Sequence, residues 1–92
     1  MERFFFWYGT SDTGLWGLAA ERLSTRSGPS TRYAETGSYN STKGQWIQVR
    51  SRAWDASNEI WWVEVLIGDQ WLWTGYWRFD SSTLPLESIP IW

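Results

Sequence analysis

The side chains that carry chemistry in this sequence are nineteen Ser and Thr, ten Asp and Glu, seven Arg and one Lys; His and Cys are absent. A hydroxyl nucleophile needs a base to take its proton. Without His, the only amine for a Ser–Lys dyad is Lys43, in a polar loop beside Gly44. Asp55, Glu59 and Glu64 are the carboxylates from which a glycosidase pair could be drawn, but such a pair needs a deep cleft that fixes the two groups apart. A chain of 92 residues rarely encloses one. Zero Cys and zero His remove thiolate sites and most zinc sites, and Asp55-x-x-Asn58-Glu59 lacks the spacing of a calcium loop. No glycine-rich phosphate cradle occurs. The expectation is therefore no catalytic residue, no metal and no cofactor.

The remaining chemistry is aromatic. Ten of the eighteen aromatic residues are Trp. At about 150–250 Å² per ring the eighteen together represent roughly 3,600 Å² of contact area. A 10.8 kDa chain should expose roughly 5,500 Å² when folded, against roughly 15,700 Å² extended. One modest core cannot enclose every ring, so some should line a groove or an interface. Rings in a shallow groove stack on sugars or clamp extended peptides at little rotamer cost, and the indole N–H adds a directional donor. The plainer use of such residues is a half-buried layer packing across strands.

Net charge is −2, which lacks the positive balance that drives binding to phosphate backbones, so nucleic acid is not an expected partner. The longest uninterrupted aromatic run, residues 4–8, has five residues, far short of a membrane span of about 20. Met1-Glu2-Arg3 carries no net positive charge, so the start is not expected to be a signal peptide.

The elements that must position the rings read as strands. Residues 3–8 form an aromatic strand or arm with two apolar faces, closed by turn formers at 9–14. Residues 15–25 suit either a short helix or a strand. Ser27-Gly28-Pro29-Ser30 is a turn, and 38–44 is a second polar loop. Residues 45–54 alternate with period two. Ile47, Val49, Ser51 and Ala53 fall on one face, with Ile47, Val49 and Ala53 set toward the core. Trp46, Gln48, Arg50, Arg52 and Trp54 fall on the other. In 60–67, Trp61, Val63, Val65 and Ile67 should point inward and Trp62 and Glu64 outward. Gly68-Asp69 turns the chain into a strand at 70–74, followed by a one-turn helix or closing strand to 79. Pro85 and Pro90 prevent regular pairing at their own positions in 84–92, whose apolar ending reads as a docked tail or a linker.

Leu23-Ser24-Thr25-Arg26-Ser27-Gly28-Pro29-Ser30-Thr31-Arg32-Tyr33, followed by Glu35-Thr36-Gly37-Ser38-Tyr39, resembles the opening motif of bacterial SH3 domains. Gln45-Trp46-Ile47-Gln48-Val49, Trp61-Trp62-Val63-Glu64-Val65 and the segment from Trp71 to Phe79 resemble, in order, three later elements of that family. Together they cover about residues 15–80. Departures are Gln70 where the family usually has Gly, Trp77 where an aliphatic residue is common, a short loop after Gly68, and a heavier Trp load. In the motif, Gly28 should supply φ freedom, Pro29 a preset dihedral, and Arg26 donors for loop carbonyls.

The resemblance implies an all-β fold, a small SH3-like β-barrel of about five to seven short, mostly antiparallel strands. The division is an aromatic arm at 1–14, the barrel at 15–80 and a tail or linker at 81–92. It also implies a non-catalytic attachment module for bacterial cell-wall peptidoglycan, peptide or glycan, outside the cell and within a larger protein. The candidate groove comprises Tyr33, Tyr39, Trp46, Arg50, Trp54, Trp62, Trp73 and Tyr76. Arg50 and Arg52 could stack on the rings or pair with a ligand carboxylate, or form a solvated strand face. The alternative is a structural interaction or self-association domain using the arm at 4–8 and the apolar ending, or an engineered domain without a selected ligand.

Overall fold

The computed structural model describes residues 14–92. The strand expected at 3–8, and with it the aromatic arm, lies outside the described residues. The fold is all-β. Its strands are β1 Leu15–Leu18, β2 Leu23–Arg26, β3 Glu35–Tyr39, β4 Trp46–Asp55, β5 Ile60–Ile67 and β6 Gln70–Gly75. They form one six-stranded sheet in the order β1-β4-β5-β6-β2-β3, every neighbouring pair antiparallel, consistent with a small SH3-like fold. The ambiguous stretch 15–25 is two strands separated by a bend.

Local chemistry sets the turns. Ile67 pairs with Gln70, so Gly68-Asp69 is a two-residue hairpin loop, with Gly68 at φ +64 as that tight geometry requires. The β4–β5 connection is organised by Asp55, whose Oδ1 accepts from the backbone N–H of Ser57 (3.1 Å). Glu59 then takes φ 56, an uncommon value for a residue with a Cβ, and its N–H donates to Asp55 O at 2.7 Å.

The long strand β4 does not keep the alternation read from its sequence. Val49 pairs with Val65, but Ser51 pairs with Glu64, so two residues of β4 oppose one of β5. This β-bulge at Arg50 reverses which face each later residue occupies. Directly opposed residues share a face. Ile47 and Val49 therefore join Val63 and Val65 on the core face, as their spacing requires. Ser51 and Ala53 join Glu64 and Trp62 on the opposite face instead of the core. Trp46 and Trp54, placed together by simple alternation, fall on opposite faces, and so do Arg50 and Arg52.

The core gathers Ala19, Leu23, Ile47, Val49, Val63, Val65, Phe79, Leu84 and Ile89. Leu84 and Ile89 are 1% exposed, so residues 81–89 belong to the folded unit and are not a linker. Gly17 permits this, because a Cβ there would lie 2.8 Å from Leu84 Cδ2 and 2.9 Å from Phe79 Cδ1. The hydroxyl of Thr83 accepts from Leu18 N–H at 3.0 Å, and Asp80 N–H donates to Leu18 O at 2.9 Å. Beyond Val49, where β1 stops, residues 90–92 take its place along β4: Arg52 and Ile91 form a parallel bridge.

Candidate functional site

The face of the sheet opposite the core is also half closed. Trp62 and Trp73, expected to line an open groove, are 5% and 4% exposed. Glu64, expected to point to solvent, is buried too. The cause is the segment 27–34, which folds across this face, with Trp92 approaching from the other side. Trp92 meets Trp73 edge-on, ring centroids 5.2 Å apart. Trp61 keeps the core-side facing expected of it but is only half-buried, beside Trp54 at 5.3 Å and with the Arg52 guanidinium 4.7 Å over its ring.

Polar groups on this face are satisfied by one another. The Arg50 guanidinium donates to both carboxylate oxygens of Glu64, at 2.8 and 2.9 Å, and Ser51 Oγ adds a third bond at 2.7 Å. The bulge makes this possible by turning Arg50 and Ser51 toward the same Glu64. Arg50 also lies 4.3 Å over the Trp71 ring. Asp55 Oδ2 accepts from Asn58 Nδ2 (2.8 Å) and Trp62 Nε1 (3.1 Å). These bonds, the Asn58 amide foremost, hold its carboxyl below the usual carboxylate range against the opposing effect of burial. Of the three carboxylates weighed for acid–base chemistry, Asp55 and Glu64 are thus acceptors inside the fold, and Glu59 is exposed.

The 27–34 segment is fixed from within. Arg26 Nη1 donates to Thr31 O at 3.2 Å and to Tyr33 O at 2.8 Å. Asn58 Nδ2 donates to Thr31 Oγ1 at 3.0 Å, tying the segment to the β4–β5 turn. Gly28 does not occupy the left-handed region, so its role is not the φ freedom expected of it. It is needed for close approach: a Cβ there would overlap the Tyr33 ring.

Two depressions among the described residues bear on a site. The larger, about 470 Å³, lies between Pro29, Ser30, Arg32 and Tyr33 on one side and Trp54, Asp55, Ile91 and Trp92 on the other. Tyr33 is 43% and Trp54 50% exposed. The smaller, about 230 Å³, has Trp62 in its lining with Arg26, Trp77 and Arg78. Trp77 lies over Gly75, where a Cβ would meet its Nε1, and carries the Arg78 guanidinium 4.3 Å above its ring. Among the described residues no cluster of acidic side chains could hold a metal ion.

Of the eight groove candidates, the structure brings together Tyr33 and Trp54 alone. Trp62 lies in the second depression and Trp73 beneath Trp92. Trp46 is exposed beside Trp16 on β1. The Tyr39 ring packs against Gly37, where a Cβ would lie 2.6 Å from its hydroxyl. The Tyr76 hydroxyl donates to Leu84 O at 2.6 Å, and its ionisation is pushed up, chiefly by burial and secondly by Glu87. Arg50 belongs to Glu64. Sequence reasoning missed Ile91, Trp92 and Arg78; the apolar ending around Pro90 was the visible signal for the first two.

Comparison with known proteins adds no identification: no family model, no curated protein and no solved structure matches the chain.

Proposed function

We propose that the chain is a non-catalytic binding module resembling the bacterial SH3 domains, and that it attaches a larger extracellular protein to cell-wall peptidoglycan. The observation that supports this reading is the 470 Å³ cleft between the 27–34 segment and the β4–β5 turn, lined by the partly exposed residues Tyr33 and Trp54. Aromatic residues that line one cleft supply stacking and apolar contact to a peptide or sugar at small entropic cost. Arg26 and Asn58 brace the backbone segment that carries Tyr33.

The test is sedimentation with insoluble sacculi from several bacteria. The folded chain should pellet with them. Tyr33→Ala and Trp54→Ala should release it while leaving the fold intact. A folded wild-type chain that stays in the supernatant with every sacculus overturns the reading.

A second reading, association with another protein or a second copy, draws support from Trp16 and Trp46. Both are at least half exposed. Trp16 opposes Gln48 and Leu18 opposes Trp46, so the two indoles are diagonal neighbours on one face. Light scattering separates the readings: a strict monomer at high concentration, unchanged by Trp16→Ala with Trp46→Ala, removes self-association.

A further inference from the structure

We infer that the β4 edge around Arg52 is a strand-addition site for an extended peptide, and that residues 90–92 occupy it as a tethered stand-in. This deepens the binding-module reading by naming a peptide strand, not a glycan, as the ligand of the large cleft.

The site exists because the β-bulge ends the pairing with β1. That strand pairs with β4 only through Val49. Beyond the bulge, the Arg52 backbone meets a different partner: its N–H donates to Pro90 O and its carbonyl accepts from Trp92 N–H, both at 2.8 Å. The geometry is a parallel bridge between Arg52 and Ile91. Recognition through backbone groups, with neighbouring pockets reading alternate side chains, is how sheets capture extended peptides.

The stand-in is loosely held. Ile89, 1% exposed, is the anchor in the core, whereas Ile91 and Trp92 are 65% and 68% exposed. Residues 90–92 are retained by the two backbone bonds and the edge contact of Trp92 on Trp73. Connection to Ile89 gives this short strand an effective concentration of about millimolar or more, so a free peptide competes poorly while it is present. Removing it leaves the Arg52 backbone pair unbonded beside the cleft that Tyr33 and Trp54 line. The ligand chemistry follows from what now sits there: an extended, apolar peptide with an aromatic side chain that reaches Trp73.

The experiment measures fluorescence anisotropy of a labelled Ser-Ile-Pro-Ile-Trp pentapeptide with the full chain and with a chain ending at Ile89. The shortened chain should bind it at least ten-fold more tightly. N-methylation of the peptide's Trp, which removes the N–H facing Arg52 O, should weaken binding at least ten-fold. If the shortened chain does not fold, full-length Trp92→Pro, which loses that N–H and the ring, replaces it. Equal binding by opened and full-length chains, or indifference to N-methylation, overturns the inference. Sacculus sedimentation run in parallel separates the two claims. Peptide capture without sedimentation supports strand addition and removes the wall reading; sedimentation without peptide capture does the reverse.

Discussion

The indole N–H of Trp62 donates to Asp55 Oδ2 across 3.1 Å, and both residues are buried. One carboxylate thereby joins a turn to the ring under it. Asp55 has its ionisation lowered from 3.8, first by the Asn58 side chain. A lowered carboxyl favours the folded state while it is charged. That stability is complete above the unfolded value of 3.8 and is lost as pH falls through the lower folded value. Asp80, lowered by the Ser82 hydroxyl, acts with the same sign. Thermal melts from about pH 2 to pH 7 should therefore show a steep acid decline in the wild type. Asp55→Asn should melt lower at neutral pH and show a shallower acid decline; an unchanged decline would refute the assignment.

The same bond separates ring from ring. Trp62→Ala should destabilise the fold by about 3–5 kcal/mol, as expected for a buried indole. Tyr33→Ala and Trp54→Ala, at partly exposed positions, should change urea stability far less while abolishing sacculus binding. Loss of binding in Trp62→Ala alone would reflect unfolding, so circular dichroism must accompany each variant.

Much of the fold was legible because period-two patterning and turn residues act locally. The β4–β5 hairpin and the Gly68-Asp69 turn stand where the sequence places them. The site was less legible, and Arg50 is the reason. Nothing in Arg50-Ser51 marks a bulge; what accompanies it is a contact of both side chains with Glu64 on the neighbouring strand. The bulge reverses the facing of Ser51, Ala53 and Trp54. Burial of Trp62 and Trp73 likewise depends on a segment that crosses the sheet, and the alternation of β5 and β6 carries no trace of it. Arg26, by contrast, stands in the motif whose carbonyls it holds, so its role is local and readable.

The Arg50–Glu64 pair offers a sharper measurement. Arg50→Met leaves a buried carboxylate with Ser51 as its remaining side-chain donor among these bonds, and should destabilise the fold by about 3–5 kcal/mol. Replacing Glu64 by Met as well should recover much of that loss, because an apolar pair of similar volume avoids desolvating a lone charge. Urea unfolding of both singles and the double gives the coupling energy. Strict additivity would show that the pair contributes nothing beyond its separate contacts.

Gly28 and Tyr33 form a second pair open to a cycle. Gly28→Ala should cost about 1–3 kcal/mol, since the new methyl overlaps the ring and the ring must move. In a Tyr33→Ala background the same substitution meets no ring and should be close to neutral. Equal destabilisation in both backgrounds would mean that the backbone, not the ring, requires glycine.

The tail divides into an anchor and a strap, and their energies should differ accordingly. Ile89→Ala removes a side chain that is 1% exposed and packs in the core, at a cost of about 2–5 kcal/mol. Deleting residues 90–92 removes two backbone bonds to Arg52, each worth about 0.5–1.5 kcal/mol net, and a contact between rings of which one is largely exposed. The freed Arg52 groups can then bond to water, which lowers the loss further. Urea midpoints should thus fall more for the single substitution than for the three-residue deletion. The reverse order would make the strap the principal support of this edge, and a segment so strongly required could not be exchanged for a peptide.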